Sequence, residues 1–272
     1  MIRIALAAAL LATPAAADRL LSIGGSVTEI VVALGQQDRL VARDTTSSYP
    51  PEVEALPDVG YMRALSPEGV LSVAPDLIVS EDGAGPPEAL EVLQAAGVPF
   101  VTVPDGFDRA GLRAKIQAVG VALGVPDAAV TLADETDARL AAAIEGIDGP
   151  GKRVLFVLST QGGRILASGK GTAADGIIQL SGGINAVDAF DGYKPLTDEA
   201  VADADPDVVL MMDRSGDHSA TADALFAMPA LATTRAAEAR ALVTMDGLLL
   251  LGFGPRTPEA VETLAHALAH AG

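Results

Sequence analysis

Apolar positions along the chain follow two alternating rhythms. Short aliphatic runs over Leu20–Ile23, Leu40–Arg43, Leu77–Ser80 and Pro99–Val103 read as strands. Stretches with helical spacing lie between them. Ser26-Val27-Thr28-Glu29 opens the first with the Ser-to-Glu spacing of a capping box, and Gly35 ends it. Pro87 to Ala96 is another. Strands separated by helices of this length predict βαβ units and a parallel sheet.

From Asp108 to Ile147 the rhythm changes. Leu112, Ile116, Val119 and Leu123 mark one face of a helix over Arg109–Leu123. Pro126 restarts a helix to about Ile144, carrying Leu132, Leu140 and Ile144. Asp148-Gly149-Pro150-Gly151 is a break, after which the strand Arg153–Leu158 begins a second βα alternation that includes Val208–Met212. Either one sheet carries two consecutive helices, or two α/β lobes are joined by a single long helix.

An internal repeat favours the lobes. Gly60-Tyr61 precedes Leu65-Ser66-Pro67-Glu68-Gly69-Val70 and then Pro75-Asp76-Leu77-Ile78-Val79. Gly192-Tyr193 precedes Leu196-Thr197-Asp198-Glu199-Ala200-Val201 and then Pro206-Asp207-Val208-Val209-Leu210. From Leu65 and Leu196 onward the copies align without a gap, 131 residues apart. Each copy reads as a loop, a helix cap (Ser66, Thr197), a short helix and a Pro-Asp turn into a strand. The expected architecture is an α/β fold of two Rossmann-like lobes with parallel central sheets, joined by one long helix. The ligand cleft lies between the lobes, near the carboxyl ends of the strands. The expected boundaries are 18–124 for the first lobe, 125–148 for the linking helix and 149–272 for the second lobe.

Met1 to Ala17 pairs Arg3 with a short apolar run and ends in Ala15-Ala16-Ala17, the pattern of a cleaved signal peptide. No cysteine stands at that point to carry a lipid anchor, so the expected location is the periplasm. The 272 residues include no Cys and no Trp, 3 His and 3 Tyr, which removes thiolate chemistry and leaves little for a histidine cage. A formal net charge of −18 argues against nucleic acid or anionic lipid as the main partner.

With these residues in view, the chain resembles the periplasmic haem-binding proteins of bacterial haem-uptake ABC transporters. These belong to the helical-backbone class of binding proteins, with the vitamin B12 and siderophore binders. The resemblance covers essentially the whole chain after the signal peptide. It rests on Ser22-Ile23-Gly24-Gly25-Ser26-Val27-Thr28-Glu29-Ile30, Val41-Ala42-Arg43-Asp44-Thr45-Thr46-Ser47 and Leu56-Pro57-Asp58-Val59-Gly60-Tyr61-Met62-Arg63. In the second half it rests on Gly171-Thr172-Ala173-Ala174-Asp175 and Leu251-Gly252-Phe253-Gly254-Pro255-Arg256-Thr257-Pro258. The Gly-Tyr-Met-Arg and Leu-Gly-Phe-Gly-Pro-Arg segments point to the haem branch.

The resemblance implies that Tyr61 is an axial ligand of haem iron; its alternative is a packed loop tyrosine. Chemistry agrees with ligation, since ferric iron is a hard acid and phenolate a hard anionic donor. A free phenol has a pKa of about 10, so binding displaces a proton that a nearby cation helps to remove. Arg63 is the candidate for that cation, or for pairing a haem propionate, or is a solvated surface arginine. Arg214 is a further cleft candidate by its place after Val208–Met212, and Tyr193 by its place in the repeat. Some relatives carry a histidine after the first strand of the second lobe, but here that loop reads Ser159-Thr160-Gln161-Gly162-Gly163. His218 is more ordinary as an exposed loop residue, and His266 and His270 fit a solvent-facing helix, so five-coordinate haem through Tyr61 is expected.

Glu68 and Glu199 are matched acids at the second position of their helices. In this class one Glu on each lobe docks on arginines of a two-fold permease dimer, and the pair fits that pattern. The resemblance also implies an outer-membrane haem receptor upstream and a monomeric binding protein. Cobalamin or a ferric siderophore on the same fold is the alternative. An α/β enzyme fits less well. No Gly-x-Ser-x-Gly elbow occurs, and Gly24-Gly25-Ser26 and Gly169-Lys170-Gly171-Thr172 lack phosphate-loop spacing.

Overall fold

The computed structural model describes residues 19–147, 151–213 and 221–271. The segment read as a signal peptide, the break at Asp148-Gly149-Pro150, Arg214 and His218 lie outside the described residues. The chain begins β1 (Leu20–Ile23), α1 (Gly25–Ala33), β2 (Leu40–Arg43), α2 (Pro67–Ser72), β3 (Leu77–Glu81), α3 (Pro87–Ala95) and β4 (Phe100–Val103). Two consecutive helices follow, α4 (Arg109–Leu123) and α5 (Pro126–Glu145). Next come β5 (Arg153–Ser159), β6 (Ile165–Ser168), α6 (Ala173–Leu180), β7 (Ile184–Asn185), β8 (Tyr193–Leu196), α7 (Asp198–Ala204) and β9 (Val208–Asp213). The chain ends with α8 (Ala222–Phe226), α9 (Arg235–Ala239), β10 (Leu242–Asp246), α10 (Gly247–Leu251) and α11 (Thr257–His270).

The first sheet has the order β2-β1-β3-β4 and is parallel throughout. The second follows β10-β9-β5-β6-β8, with β7 added beside β5. Its β10, β9, β5 and β7 are parallel, whereas β6 runs antiparallel to both its neighbours, β5 and β8. This sheet is therefore mixed rather than parallel. The cause is local: Gly162 (φ 66°) and Gly163 (φ 73°) take left-handed conformations and fold β6 back on β5 as a hairpin. The loop after the first strand of this half is thus a hairpin turn, not a crossover into a helix.

The central strands β1, β3, β5 and β9 are buried on both faces, so they read as continuous aliphatic runs. Leu20 and Val79 of the first sheet, and Val154, Phe156, Val208 and Leu210 of the second, face one continuous core. Leu112, Ile116 and Val119 of α4, Leu140 of α5 and Val261 and Leu264 of α11 share that core. The alternate residues face separate outer cores: Leu21, Ile23 and Ile78 on one side, Leu155, Val157 and Val209 on the other. The halves of the molecule are therefore fused through shared helices rather than merely tethered.

The repeat holds from its caps onward. Ser66 Oγ accepts from Gly69 N–H, and Thr197 Oγ1 accepts from Ala200 N–H, closing the first turns of α2 and α7. The expected capping box at Ser26 does not form. Gly24 (φ 105°) is the N-cap of α1, and Ser26 lies inside the helix. Its hydroxyl turns away to donate to Glu81 Oε1 at 2.6 Å, and Glu29 is drawn into a buried ion pair with Arg256.

Candidate functional site

A cavity of about 890 Å³ opens where the carboxyl ends of strands from both sheets face each other. Glu81 ends β3, Leu158 lies near the end of β5, Met212 near the end of β9 and Asp246 ends β10; all four line it. That is the place where open α/β sheets take ligands. Tyr61, Arg63 and Tyr193, all singled out from sequence, line the same cavity. Glu68 and Glu199 do not; both are exposed at the starts of their helices.

The segment that bears Tyr61 is pinned at its ends and free in its middle. Gly60 adopts φ 101°, and nothing lies within 4 Å of where its Cβ would be, so the glycine serves the backbone conformation. Gly60 O accepts from Thr45 N–H at 3.0 Å, and Met62 O accepts from Gly85 N–H at 2.8 Å. Met62 and Leu65 are buried beneath the loop, 6% and 4% exposed. Tyr61 is left 45% exposed, projecting into the cavity, with Arg63 also exposed. Below the loop, Asp44 is fully buried and accepts from Gly24 N–H, Thr46 N–H and the Ser47 hydroxyl. The polar residues of the Asp44–Ser47 segment thus set the shape of the wall.

Tyr193 differs from its repeat partner. It sits on strand β8, half-buried, with its ring edge-on to Phe156 at 6.3 Å. Its hydroxyl bonds with that of Thr172 and accepts from Ala174 N–H. Burial pushes its phenol above the ordinary value, although those hydrogen bonds and the nearby Arg63 charge pull the other way. A phenol held protonated is a wall and hydrogen-bonding group rather than an anionic ligand.

Sequence reasoning missed the floor. Lys115 on α4 is fully buried, and its Nζ lies 2.6 Å from Glu81 Oε1, 2.5 Å from Asp105 Oδ1 and 3.2 Å from Gly252 O. The clue was available: Lys115 falls three residues after Leu112 and four before Val119, on the apolar face of its helix. Burial pushes the Glu81 carboxyl upward, opposed by Lys115. A second bridge crosses between the halves nearby. Arg256 Nη2 lies 2.5 Å from Glu29 Oε1, and its guanidinium stacks 3.6 Å from the centre of the Tyr49 ring. His266 and His270 lie elsewhere, exposed on α11, their rings stacked at 4.2 Å. Among the described residues no three His, Asp or Glu side chains converge to hold a free metal ion.

The periplasmic binding protein family model matches residues 20–248. The chain belongs to that family. Among solved structures, it is 43% identical to the periplasmic haem-binding protein BhuT in complex with two haems, with a TM-score of 0.87 over 93% of this chain and 98% of that one. The periplasmic haem-binding protein RhuT from Roseiflexus sp. RS-1 is 38% identical, with a TM-score of 0.88 over 94% and 99% of the two chains. Among curated relatives, an uncharacterised ABC transporter substrate-binding lipoprotein of Bacillus subtilis is 27% identical, over 92% of this chain and 79% of its own. A vitamin B12-binding protein of Yersinia pestis is 37% identical over 102 residues, 37% of this chain and 36% of its own. As a family member, the chain is a substrate-binding protein of the periplasm.

Proposed function

We propose that the protein captures haem in its cleft and hands it to an inner-membrane ABC importer. The observation that carries this reading is Tyr61: a phenol 45% exposed within a cleft, on a loop pinned on both sides, with a cation two residues away. The identity to haem-binding relatives over nearly the full chain supports it. Tyr61 is the axial ligand of ferric iron, which haem itself supplies, and Arg63 favours the phenolate or pairs a propionate. Tyr193 closes the opposite wall, and Arg214, outside the described residues, stands as a further candidate by its place after β9 in the sequence. Glu68 and Glu199 meet a permease dimer.

The partition into lobes at 18–124 and 149–272 with a linking helix at 125–148 remains part of this reading, supported by the unbroken α5 between the sheets. So does export through a cleaved signal peptide at 1–17, supported by the pattern around Arg3 and Ala15-Ala16-Ala17.

Absorption titrations with hemin and with cobalamin test the function. The expected outcome is a 1:1 hemin complex with a high-spin tyrosinate charge-transfer band that is lost in Tyr61→Ala. Unchanged hemin affinity in that variant removes Tyr61 as ligand. Saturable cobalamin binding without hemin binding transfers the function to the partial relative's substrate.

A further inference from the structure

The charged groups of the cleft differ in burial from bottom to top. At the floor, Glu81 and Asp105 keep only 12% and 22% of their side chains exposed, and both contact the fully buried Lys115. Two carboxylates share one ammonium there. The ammonium is spent inside the cluster, since its other neighbours are Ser26 Oγ at 3.3 Å and Gly252 O at 3.2 Å. A ligand reaching the floor therefore meets surplus acid and no available cation. At the mouth, Arg63 is exposed and is the one basic residue among the described residues that line the cavity. Asp82 and Asp246 also stand at the rim, but there a ligand carboxylate keeps its water.

Haem carries both of its propionates on one edge and only methyl and vinyl groups on the other. Pressing a carboxylate against a buried cluster whose one ammonium is already shared by two acids strips its hydration and returns no partner, whereas the apolar edge has nothing to lose there. We propose that the Lys115–Glu81–Asp105 cluster orients the ligand: it bars the carboxylate edge from the floor and leaves it at the mouth beside Arg63. The inference rests on the haem reading and adds the edge by which haem enters. Lys115 acts as a positioning residue, holding the two acids at the ends of β3 and β4.

Ligands test this without altering the fold. Ferric coproporphyrin has the same iron and ring as hemin but a propionate in place of each vinyl group, so the edge opposite the usual propionate pair also carries carboxylate. The unaltered protein should bind it about 100-fold more weakly than hemin, the effect of one unfavourable juxtaposition of like charge. In the triple variant Glu81→Gln, Lys115→Met, Asp105→Asn, whose melting curve reports folding, that ratio should shrink by about tenfold. Equal affinity of the unaltered protein for both porphyrins overturns the inference and leaves the haem reading standing. So does a folded triple variant that keeps the full ratio. Failure of the unaltered protein to bind hemin at all sinks both.

Discussion

At the residue scale, the cleft region is held by charges taken out of water, and each keeps its partner. Glu29 shows which term dominates. Burial pushes its carboxyl above the ordinary 4.5, and the Arg256 ion pair only partly offsets that rise. A group whose pKa is raised on folding holds its proton to higher pH in the folded state. Its stabilising contribution is complete below the unfolded value and is lost as pH rises through the folded one. Glu29→Gln carries no such titration. Urea unfolding should therefore show the variant's deficit to be largest near pH 4.5 and smaller at roughly pH 7.5. A deficit that grows with pH would mean that the ion pair outweighs desolvation. Neither this pair nor Lys115 with Glu81 was legible in the sequence, because Glu29 and Arg256 lie 227 residues apart and only the fold makes them neighbours.

At the element scale, much was legible wherever the ends of an element carry their own chemistry. The span Arg109–Leu123 was read correctly at both ends because Asp108 caps it and Gly124, at φ 76°, closes it in a left-handed conformation. The long β strands were read from their aliphatic runs. The β5–β6 hairpin was not, because its turn glycines resemble those of any βα loop until their conformations are seen. Ser26 and Ser66 make the same contrast. Both precede helical patterns, but only Ser66 accepts a helix-end N–H at its hydroxyl oxygen, since Gly24 already caps α1. Ser66→Ala should therefore cost about 1 kcal/mol in chemical unfolding, the usual worth of a cap. Hemin affinity should not change, because Ser66 is not among the residues lining the cavity. A loss of affinity would show that α2 transmits strain to the Tyr61 loop.

At the scale of the whole molecule, the shared core decides how the protein can meet a partner. Helices α4, α5 and α11 share one buried core with residues of both sheets, which predicts little hinge closure between the halves. Glu68 and Glu199 stand exposed at the second positions of α2 and α7, each behind the same kind of hydroxyl cap. On the proposed docking, two equivalent acids meet a two-fold symmetric surface that bears two cationic sites, and such a pair sets direction as well as strength. The double variant Glu68→Ala, Glu199→Ala should bind hemin with unchanged affinity and fail to deliver it to a transporter reconstituted in vesicles. Each single variant should deliver partially, since one contact remains to hold the protein but not to orient it. Delivery that persists in the double variant would assign docking to other parts of the acidic surface. A double variant that loses hemin binding would instead tie these helices to the cleft.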